Sequence, residues 1–427
     1  MFLLVLLYYK REKSKQPSEN SFFMKETREL QNGLKVLYKQ SPNTPRTTLC
    51  LNFSLNQEEK TPGLNAVMTR LFLQGTTTRT AEELAQELDE YAIELICELK
   101  SDYLSFKFIC LNEDFDKALE LLSDVIFNTT FNDWEKEIFK YEGEIQVGLD
   151  SPRNKALEAF YKNIYANHPY GNTDTIILEN LNKITKEDII EAYTTIRKTS
   201  RKVITIVGDI DTNNALDKVE KNFSQLEKSS KEIVIFNKQP LTETKIIEQS
   251  KENLNQAHII QGWLVPTYKT KDYAPLMLLN VILGASGLSS RLFCELRDKK
   301  GLAYVVRSSY ETALSTGNFH IYIATEPKNI ETALAGFKEE IDKIKTELVG
   351  EKELEDAKNN ILGKWAFSLE TNQRQASLLA HYGILHLGFD YLEEIKMQIK
   401  NVTPEDLKIC ANKYFTDEDY VLSILKP

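Results

Sequence analysis

Apolar residues recur along this chain as short, mostly apolar runs and as longer stretches with a helical period. The runs at 48–55 and 257–264 predict two buried strands, and we expect each to open one half of the fold. Apolar runs at 203–207 and 421–425 predict two more strands, each preceded by an amphipathic helix. This order of strands and helices indicates a mixed sheet covered by helices rather than an alternating, doubly wound sheet.

The pattern is repeated within the chain. Thr185 and Thr403 each precede an amphipathic segment with early acidic residues, which is typical of an N-capped helix, and they are 218 residues apart. The segments 131–135 and 349–353, each followed by a predicted helix, have the same separation. The chain is therefore predicted to be two copies of one structural unit.

Length and composition agree with two globular units. The chain has 427 residues, of which 42% are apolar and 27% charged, and one hydrophobic core rarely extends over such a length. We predict an N-terminal domain at 24–225 and a C-terminal domain at 245–427. The polar, proline-containing stretch 226–244 is predicted to link them.

Charge and cysteine content exclude several kinds of site. A net charge of -10 without a basic stripe argues against nucleic acid as a partner. The five cysteines are dispersed, with no C-x-x-C pair, and are expected to be free thiols in a reducing compartment. His381 and His386 are the one close histidine pair, and their spacing does not place them on one helix face.

The N-terminus carries an apolar run at 2–9, followed by a basic stretch. The run is too short to span a bilayer, which takes about 20 helical residues, and its charges follow it, unlike those of a signal peptide. We predict that 1–23 is an extension produced by a misassigned start, with Met24 as the true first residue. Weak membrane contact by 2–9 is the alternative. The expected location is cytoplasmic, with a membrane-associated or exported form as the other reading.

Three short motifs carry a family resemblance. Residues 63–76 contain Gly-Leu and then Leu-Phe-x-x-Gly-Thr, 168–171 read His-Pro-Tyr-Gly, and 207–211 read Val-Gly-Asp-Ile-Asp. Together with the duplication, their order and spacing resemble the pitrilysin/insulinase-type zinc peptidases, which include the mitochondrial processing peptidases. The resemblance extends from Met24 to the end of the chain. It implies an α+β fold of two homologous lobes, each a mixed, mostly antiparallel sheet covered by helices, that enclose a peptide-binding chamber.

The zinc motif of that family, H-x-x-E-H, is missing. Its three functional positions are occupied by Ala66, Thr69 and Arg70. Methyl, hydroxyl and guanidinium groups cannot replace two imidazole ligands and a general base, so we expect no cofactor in this chain. Glu144, 74 residues after Arg70, matches the family's third zinc ligand. We interpret it as a remnant that is either paired with Arg70 or independently solvated.

A second motif lies after the predicted linker. Residues 291–299 predict a short helix, Gly301 its C-terminal turn and 303–308 a strand. Arg297 and Tyr304 resemble the arginine and tyrosine of the family's second lobe, which face the zinc across the closed chamber. Such donors stabilise the negative charge that develops on a peptide carbonyl oxygen during cleavage. The plainer alternative is a solvated helix end beside a half-buried tyrosine.

The resemblance implies a subunit rather than a complete enzyme. We expect the chain to be the non-zinc, Arg/Tyr subunit of a heteromeric metalloendopeptidase, inactive alone, that contributes substrate binding and oxyanion stabilisation. A homologous partner would supply H-x-x-E-H and the zinc ion, and the substrate would be a peptide or an unfolded segment. The alternative function is a catalytically inactive scaffold or peptide-binding homologue.

Overall fold

The structure is a computed structural model that describes residues 25–230, 234–236 and 240–427. The extension predicted over 1–23 lies outside these ranges. The described residues of the predicted linker, 226–244, contain no helix or strand. Within the described ranges, no helix combines the length and apolar character needed to cross a bilayer.

Two mixed sheets organise the molecule. The first has the strand order β1-β2-β6-β3-β5-β4, and the second has the order β7-β11-β8-β10-β9. The pairs β2/β6 and β7/β11 are parallel and every other pair is antiparallel. The strands are β1 (Lys25–Glu29), β2 (Lys35–Gln40), β3 (Arg46–Ser54), β4 (Glu94–Leu99), β5 (Tyr103–Leu111), β6 (Lys202–Gly208), β7 (Lys245–Ser250), β8 (Ala257–Val265), β9 (Ala303–Thr312), β10 (Gly317–Thr325) and β11 (Val421–Lys426).

Helices cover both sheets, which confirms the predicted α+β fold of two lobes with mixed sheets. The α-helices are α1 (Leu64–Arg70), α2 (Ala81–Glu90), α3 (Phe115–Asn128), α4 (Trp134–Asp150), α5 (Pro152–Ile164), α6 (Asp174–Leu178), α7 (Lys186–Thr199), α8 (Thr212–Phe223), α9 (Tyr273–Asn280), α10 (Ile330–Thr346), α11 (Glu351–Ser368), α12 (Asn372–Ile384), α13 (Tyr391–Asn401) and α14 (Pro404–Tyr414). Two further segments, Val281–Ala285 and Phe293–Lys299, are π-helical.

The predicted helix caps are present in both copies of the repeat. The hydroxyl oxygens of Thr185 and Thr403 accept hydrogen bonds from the amides of Asp188 and Asp406, each at 3.2 Å. The two aspartates in turn accept hydrogen bonds from the threonine amides, which completes a capping box at each site. These caps begin α7 and α14, whose buried faces pack into the two cores.

One prediction about the strands was wrong. The runs at 48–55 and 257–264 do form strands, β3 and β8, but neither opens its sheet. β1 and β2 precede β3, and β7 precedes β8. β1 and β7 lie at the edges of the sheets and have no fully buried residue, so they lack the continuous apolar run on which the prediction rested.

The two halves of the chain exchange one helix each. α5, which belongs to the first half, packs on the second sheet, where Phe160 is fully buried beside Ile260. α12, from the second half, packs on the first sheet, and the Thr205 hydroxyl donates a hydrogen bond to the Ala376 carbonyl at 2.8 Å. A methyl group at Gly262 would lie 2.7 Å from the Phe160 ring, so glycine permits this close approach.

Candidate functional site

Helix α1 carries the positions at which the zinc motif was expected. Gly63, with a φ of 91°, precedes the helix, and the Glu59 carboxylate accepts hydrogen bonds from the amides of Gly63 and Asn65, both at 3.1 Å. Its Leu64, Val67 and Met68 side chains are buried in the first core. Helix α1 is therefore held rigidly, which fixes the orientation of the expected zinc-motif positions that it carries.

Arg70 and Glu144 form the ion pair that was one of the two alternatives for these residues. Two guanidinium nitrogens of Arg70 donate to the two carboxylate oxygens of Glu144, at 2.9 and 2.7 Å. The hydrogen bond to Arg70 holds the pKa of Glu144 below its ordinary value. The bidentate geometry occupies both oxygens of Glu144, the residue that the resemblance matches to the third zinc ligand.

Two further residues of α4 complete this site and were not predicted. Arg70 Nε lies 3.5 Å from the buried carboxylate of Glu137, an ion-pair contact without hydrogen-bond geometry. The guanidinium carbon of Arg70 also lies 5.0 Å from the centre of the Tyr141 ring. Glu137, Tyr141 and Glu144 follow helical spacing and share one face of α4. That spacing is the signal by which sequence inspection could have found them.

The side chains at this site do not fit a zinc ion. Ala66 has no lone pair, the Thr69 hydroxyl donates a hydrogen bond to the Asn65 carbonyl at 2.7 Å, and Arg70 is a cation. Glu144 is already occupied by Arg70. Among the residues that the structure describes, no group of three His, Cys, Asp or Glu side chains could hold a metal ion.

Arg297 and Tyr304 lie next to each other in the second lobe. The guanidinium carbon of Arg297 is 4.7 Å from the centre of the Tyr304 ring and 4.5 Å from that of Phe293. The Tyr304 side chain is 75% exposed. This contact is produced by the predicted helix, by the turn at Gly301, whose φ is 61°, and by the strand β9. The helix differs from expectation because it is π-helical. This geometry is rare in proteins, and where it occurs it is frequently found at a functional site.

A cavity of about 450 Å³, here called the junction cavity, lies between the halves of the chain. It is lined by Ala66 and neighbouring residues of the first half, by Phe236, and by residues 311–313 at the end of β9. Tyr304 lies seven residues before Glu311 on that strand, or about 23 Å at the usual strand rise. Arg297 and Tyr304 do not line this cavity. Arg297 and Tyr304 therefore lie near one end of β9, and Ala66, at a position expected for the zinc motif, lies beside the other end.

The two other motifs have structural roles. His168 Nδ1 accepts a hydrogen bond from the Tyr170 amide at 3.1 Å, and the Tyr170 hydroxyl donates to Asp102. Asp102 also accepts a hydrogen bond from the Leu314 amide at 2.8 Å, which joins the first half to the second. Asp211, at the end of the other motif, caps α8 by accepting from the Asn214 amide at 2.8 Å.

Two family models match the chain in succession. The model of insulinase (peptidase family M16) matches residues 35–175, and that of the peptidase M16 inactive domain matches residues 183–361. The chain is a homologue of the M16 (insulinase) peptidases. Residues 66–70 and Glu144 fall in the first matched region, and Arg297 and Tyr304 fall in the second.

Similar M16 proteins span nearly the whole chain. An uncharacterized zinc protease of Bacillus subtilis, YmxG, is 27% identical over 402 residues, which cover 93% of this chain and 97% of the relative. An uncharacterized zinc protease of Rickettsia felis is 29% identical over 402 residues, covering 91% and 94%. These relatives support the assignment of the chain as an M16 homologue along its length.

Solved structures show the same fold. A protease from Helicobacter pylori superposes with a TM-score of 0.87 at 23% identity, covering 94% of this chain and 99% of that one. A peptidase M16 inactive domain from Pseudomonas fluorescens gives a TM-score of 0.84 at 23% identity, covering 95% and 98%. A chain of complex III2 from Candida albicans gives 0.75 at 15% identity, covering 94% and 95%. At these identities the likeness establishes the M16 fold.

Proposed function

We propose that this chain is the non-zinc, Arg/Tyr subunit of a heteromeric metalloendopeptidase that acts on peptides or unfolded segments. The observation that carries the proposal is the contact between Arg297 and the exposed Tyr304, in a chain whose former zinc position is filled by Arg70 and Glu144. The groups that would bind zinc and act as the general base have been replaced. The arginine and tyrosine that would stabilise the carbonyl oxygen are present and accessible.

The Arg297 side chain is available to a substrate. Among the described residues, it makes no hydrogen bond or ion pair, whereas Arg291, six residues earlier, is paired with Glu353 at 2.7 Å. Aromatic rings of Phe293 and Tyr304 hold the guanidinium in place without using its N–H donors. A preoriented cation and a phenol proton stabilise charge on a carbonyl oxygen more than they stabilise the neutral ground state.

The position of these groups supports a role for a second polypeptide. The Arg/Tyr pair lies near the start of β9, and the former zinc position lies beside the junction cavity at its other end. A homologous chain with intact H-x-x-E-H would bring the metal ligands and the general base to Arg297 and Tyr304. The present chain would then bind and orient the peptide and stabilise its carbonyl oxygen.

An unpaired sheet edge supports a peptide substrate. β4 is the edge strand of the first sheet and pairs with β5 on one side only. Its last residue, Leu99, and the next two residues, Lys100 and Ser101, line the junction cavity. An extended segment can add to such an edge through main-chain hydrogen bonds, which bind without a fixed sequence. A cytoplasmic location completes the proposal and agrees with five free cysteines.

The test combines the purified chain with a homologous, zinc-loaded H-x-x-E-H chain from the same organism and a quenched fluorescent peptide without structure. We expect no turnover by the present chain alone and turnover by the mixture, with a rate that saturates at equal amounts of the two chains. Turnover by the isolated chain that a chelator abolishes would contradict the proposal. Failure of the two chains to form a complex would contradict it as well.

The filled zinc position also favours a second candidate, a catalytically inactive scaffold or peptide-binding homologue. The Arg70–Glu144 ion pair stabilises α1 against α4 without any metal, as a purely structural protein requires. In this case the two chains would form a complex, but removal of the Arg297 side chain would leave the rate of the mixture unchanged. Measuring complex formation and turnover on the same variant separates the two candidates.

A further inference from the structure

The junction cavity carries negative charge that no cation of the described residues neutralises. Its wall includes the carboxylates of Glu58, Glu59 and Glu311. Within the described parts of the chain, none of these three forms an ion pair. Among the described residues that line the wall, the one cationic side chain is Lys100, which already lies 3.4 Å from Glu98. Burial raises the pKa of Glu59 above its ordinary value, as expected for a carboxylate without a cation beside it.

An amide in the same wall also lacks a partner. Asn65 is 8% exposed and lines the cavity, and its side chain forms no hydrogen bond with any described residue. The polar atoms of this amide are not fully enclosed by protein, so they are open to the cavity. The Ala66 methyl beside it leaves the space open. The Asn65 side chain therefore offers a carbonyl acceptor and an NH₂ donor with which a ligand in the cavity would form hydrogen bonds.

Aromatic rings complete the wall opposite. Tyr161 and Tyr165 are stacked, with ring centres 6.4 Å apart and planes at 3°. The Tyr161 hydroxyl donates to both oxygens of Glu311, at 3.0 and 2.8 Å, which fixes that carboxylate against the rings. Carboxylates beside aromatic faces attract organic cations.

We propose that the junction cavity binds the cationic side chain, guanidinium or ammonium, of an extended peptide. The three carboxylates do not form a cluster that could hold a metal ion, so the charge suits a long organic cation rather than a point charge. The volume of about 450 Å³ admits a side chain together with part of its backbone. A peptide added to the free edge of β4 ends at this cavity, because Leu99 and Lys100 lead into it.

This inference rests on the proposed function for the identity of the ligand as a peptide, but its test needs neither companion nor zinc. The probes are two fluorescein-labelled nine-residue peptides of alanine and serine, one with a central arginine and one with citrulline, its neutral isostere. Fluorescence anisotropy measures their affinity for the isolated full-length chain at low salt, where screening is weak. We expect the arginine peptide to bind at least tenfold more tightly.

Three variants locate the site. The double variant Glu58→Gln with Glu311→Gln is expected to reduce the affinity for the arginine peptide to that for the citrulline peptide. Asn65→Ala is expected to weaken it several-fold. The double variant Glu82→Gln with Glu113→Gln removes the same net charge from exposed carboxylates outside the cavity and is expected to bind like the wild type. Circular dichroism confirms that each variant is folded.

Equal affinities for the arginine and citrulline peptides would overturn the inference. So would an equal loss of affinity in the two double variants, because the effect would then come from net charge alone. Neither result would bear on turnover by the two-chain mixture. Conversely, an inactive mixture would defeat the proposed function and leave a selective arginine site in the isolated chain intact.

Discussion

Arg297 lies with its guanidinium carbon 4.7 Å from the centre of the Tyr304 ring, and Tyr304 is 75% exposed. A cation over an exposed ring contributes about 0.5–1 kcal/mol to stability. The pair is therefore dispensable for folding, while its N–H and O–H donors are free to bind another molecule. Loss of function without loss of stability is the behaviour that this geometry predicts.

Arg297→Ala and Tyr304→Phe are each expected to lower kcat of the two-chain mixture by about 100-fold or more, because one donor to a developing oxyanion is lost. The free energy of unfolding should change by less than about 1 kcal/mol in both. Lys299→Ala removes a charge from the same helix and should retain the full rate. Wild-type rates in both of the first two variants would show that the pair does not act in cleavage.

Restoring the missing ligands should restore a metal site. In the triple variant with Ala66→His, Thr69→Glu and Arg70→His, two imidazoles share one face of α1, and Glu144 on α4 faces the third changed position. We expect one zinc per chain after dialysis, measured by atomic absorption, and none in the wild type. Adding Glu144→Gln should weaken zinc binding. A triple variant that retains no zinc would mean that α1 and α4 no longer have the ligand spacing.

A network around Arg79 predicts a specific acid sensitivity. Arg79 donates to Glu87 at 2.8 Å, and the hydrogen bond to Arg79, followed by that to Lys117, lowers the pKa of Glu87 from 4.5 to about 2. A carboxyl with a depressed folded-state pKa stabilises the protein above its unfolded pKa and loses this contribution as pH falls through the folded value. The contribution of Glu87 should thus be complete above about pH 5 and disappear towards pH 2.

The variant Glu87→Gln measures that contribution. At pH 7 it should lower the free energy of urea unfolding by about 1–2 kcal/mol, less than the full pKa shift implies because the network is partly solvated. Between pH 5 and pH 2 its stability should fall less steeply than that of the wild type. Glu82→Gln, on the same helix and without an ion pair, is the matched control and should follow the wild-type curve. Parallel curves for Glu87→Gln and wild type would contradict the assignment.

The exchanged helix α5 predicts that a residue of the first half stabilises the second sheet. Phe160 is fully buried against that sheet, and Phe160→Ala should cost about 3–5 kcal/mol. Phe139→Ala, on neighbouring α4, removes the same ring from a side chain that is 77% exposed and should cost about 0.5 kcal/mol or less. Hydrogen exchange should report lost protection in β8 and β11. Loss confined to the first sheet would contradict the packing.

Local signals explain what could be predicted from the sequence. The caps at Thr185 and Thr403 depend on side chains three residues apart, and both are present. The contact of Arg297 with Tyr304 lies within one helix, turn and strand, so their spacing was informative. The strand β1 could not be found in this way, because an exposed edge strand of charged residues has no apolar pattern.

Long-range contacts account for the rest. The junction cavity joins residues from Leu55 to Ala313, and no short motif encodes which of them meet. The contact of Glu137 with Arg70 needs the packing of α4 on α1 as well as helical spacing. The π-helical geometry of Phe293–Lys299 differs from an α-helix by one residue per hydrogen bond, a difference that the apolar period does not resolve.

The reciprocal placement of α5 and α12 has a consequence for the two halves of this chain. Neither half of the chain covers its own sheet completely, because one helix that packs on each sheet comes from the other half. A chain with one copy and this architecture would have to obtain that element from a second molecule to cover its sheet. In the present chain both copies are covalently joined, so the two halves must remain complementary where α5 and α12 pack.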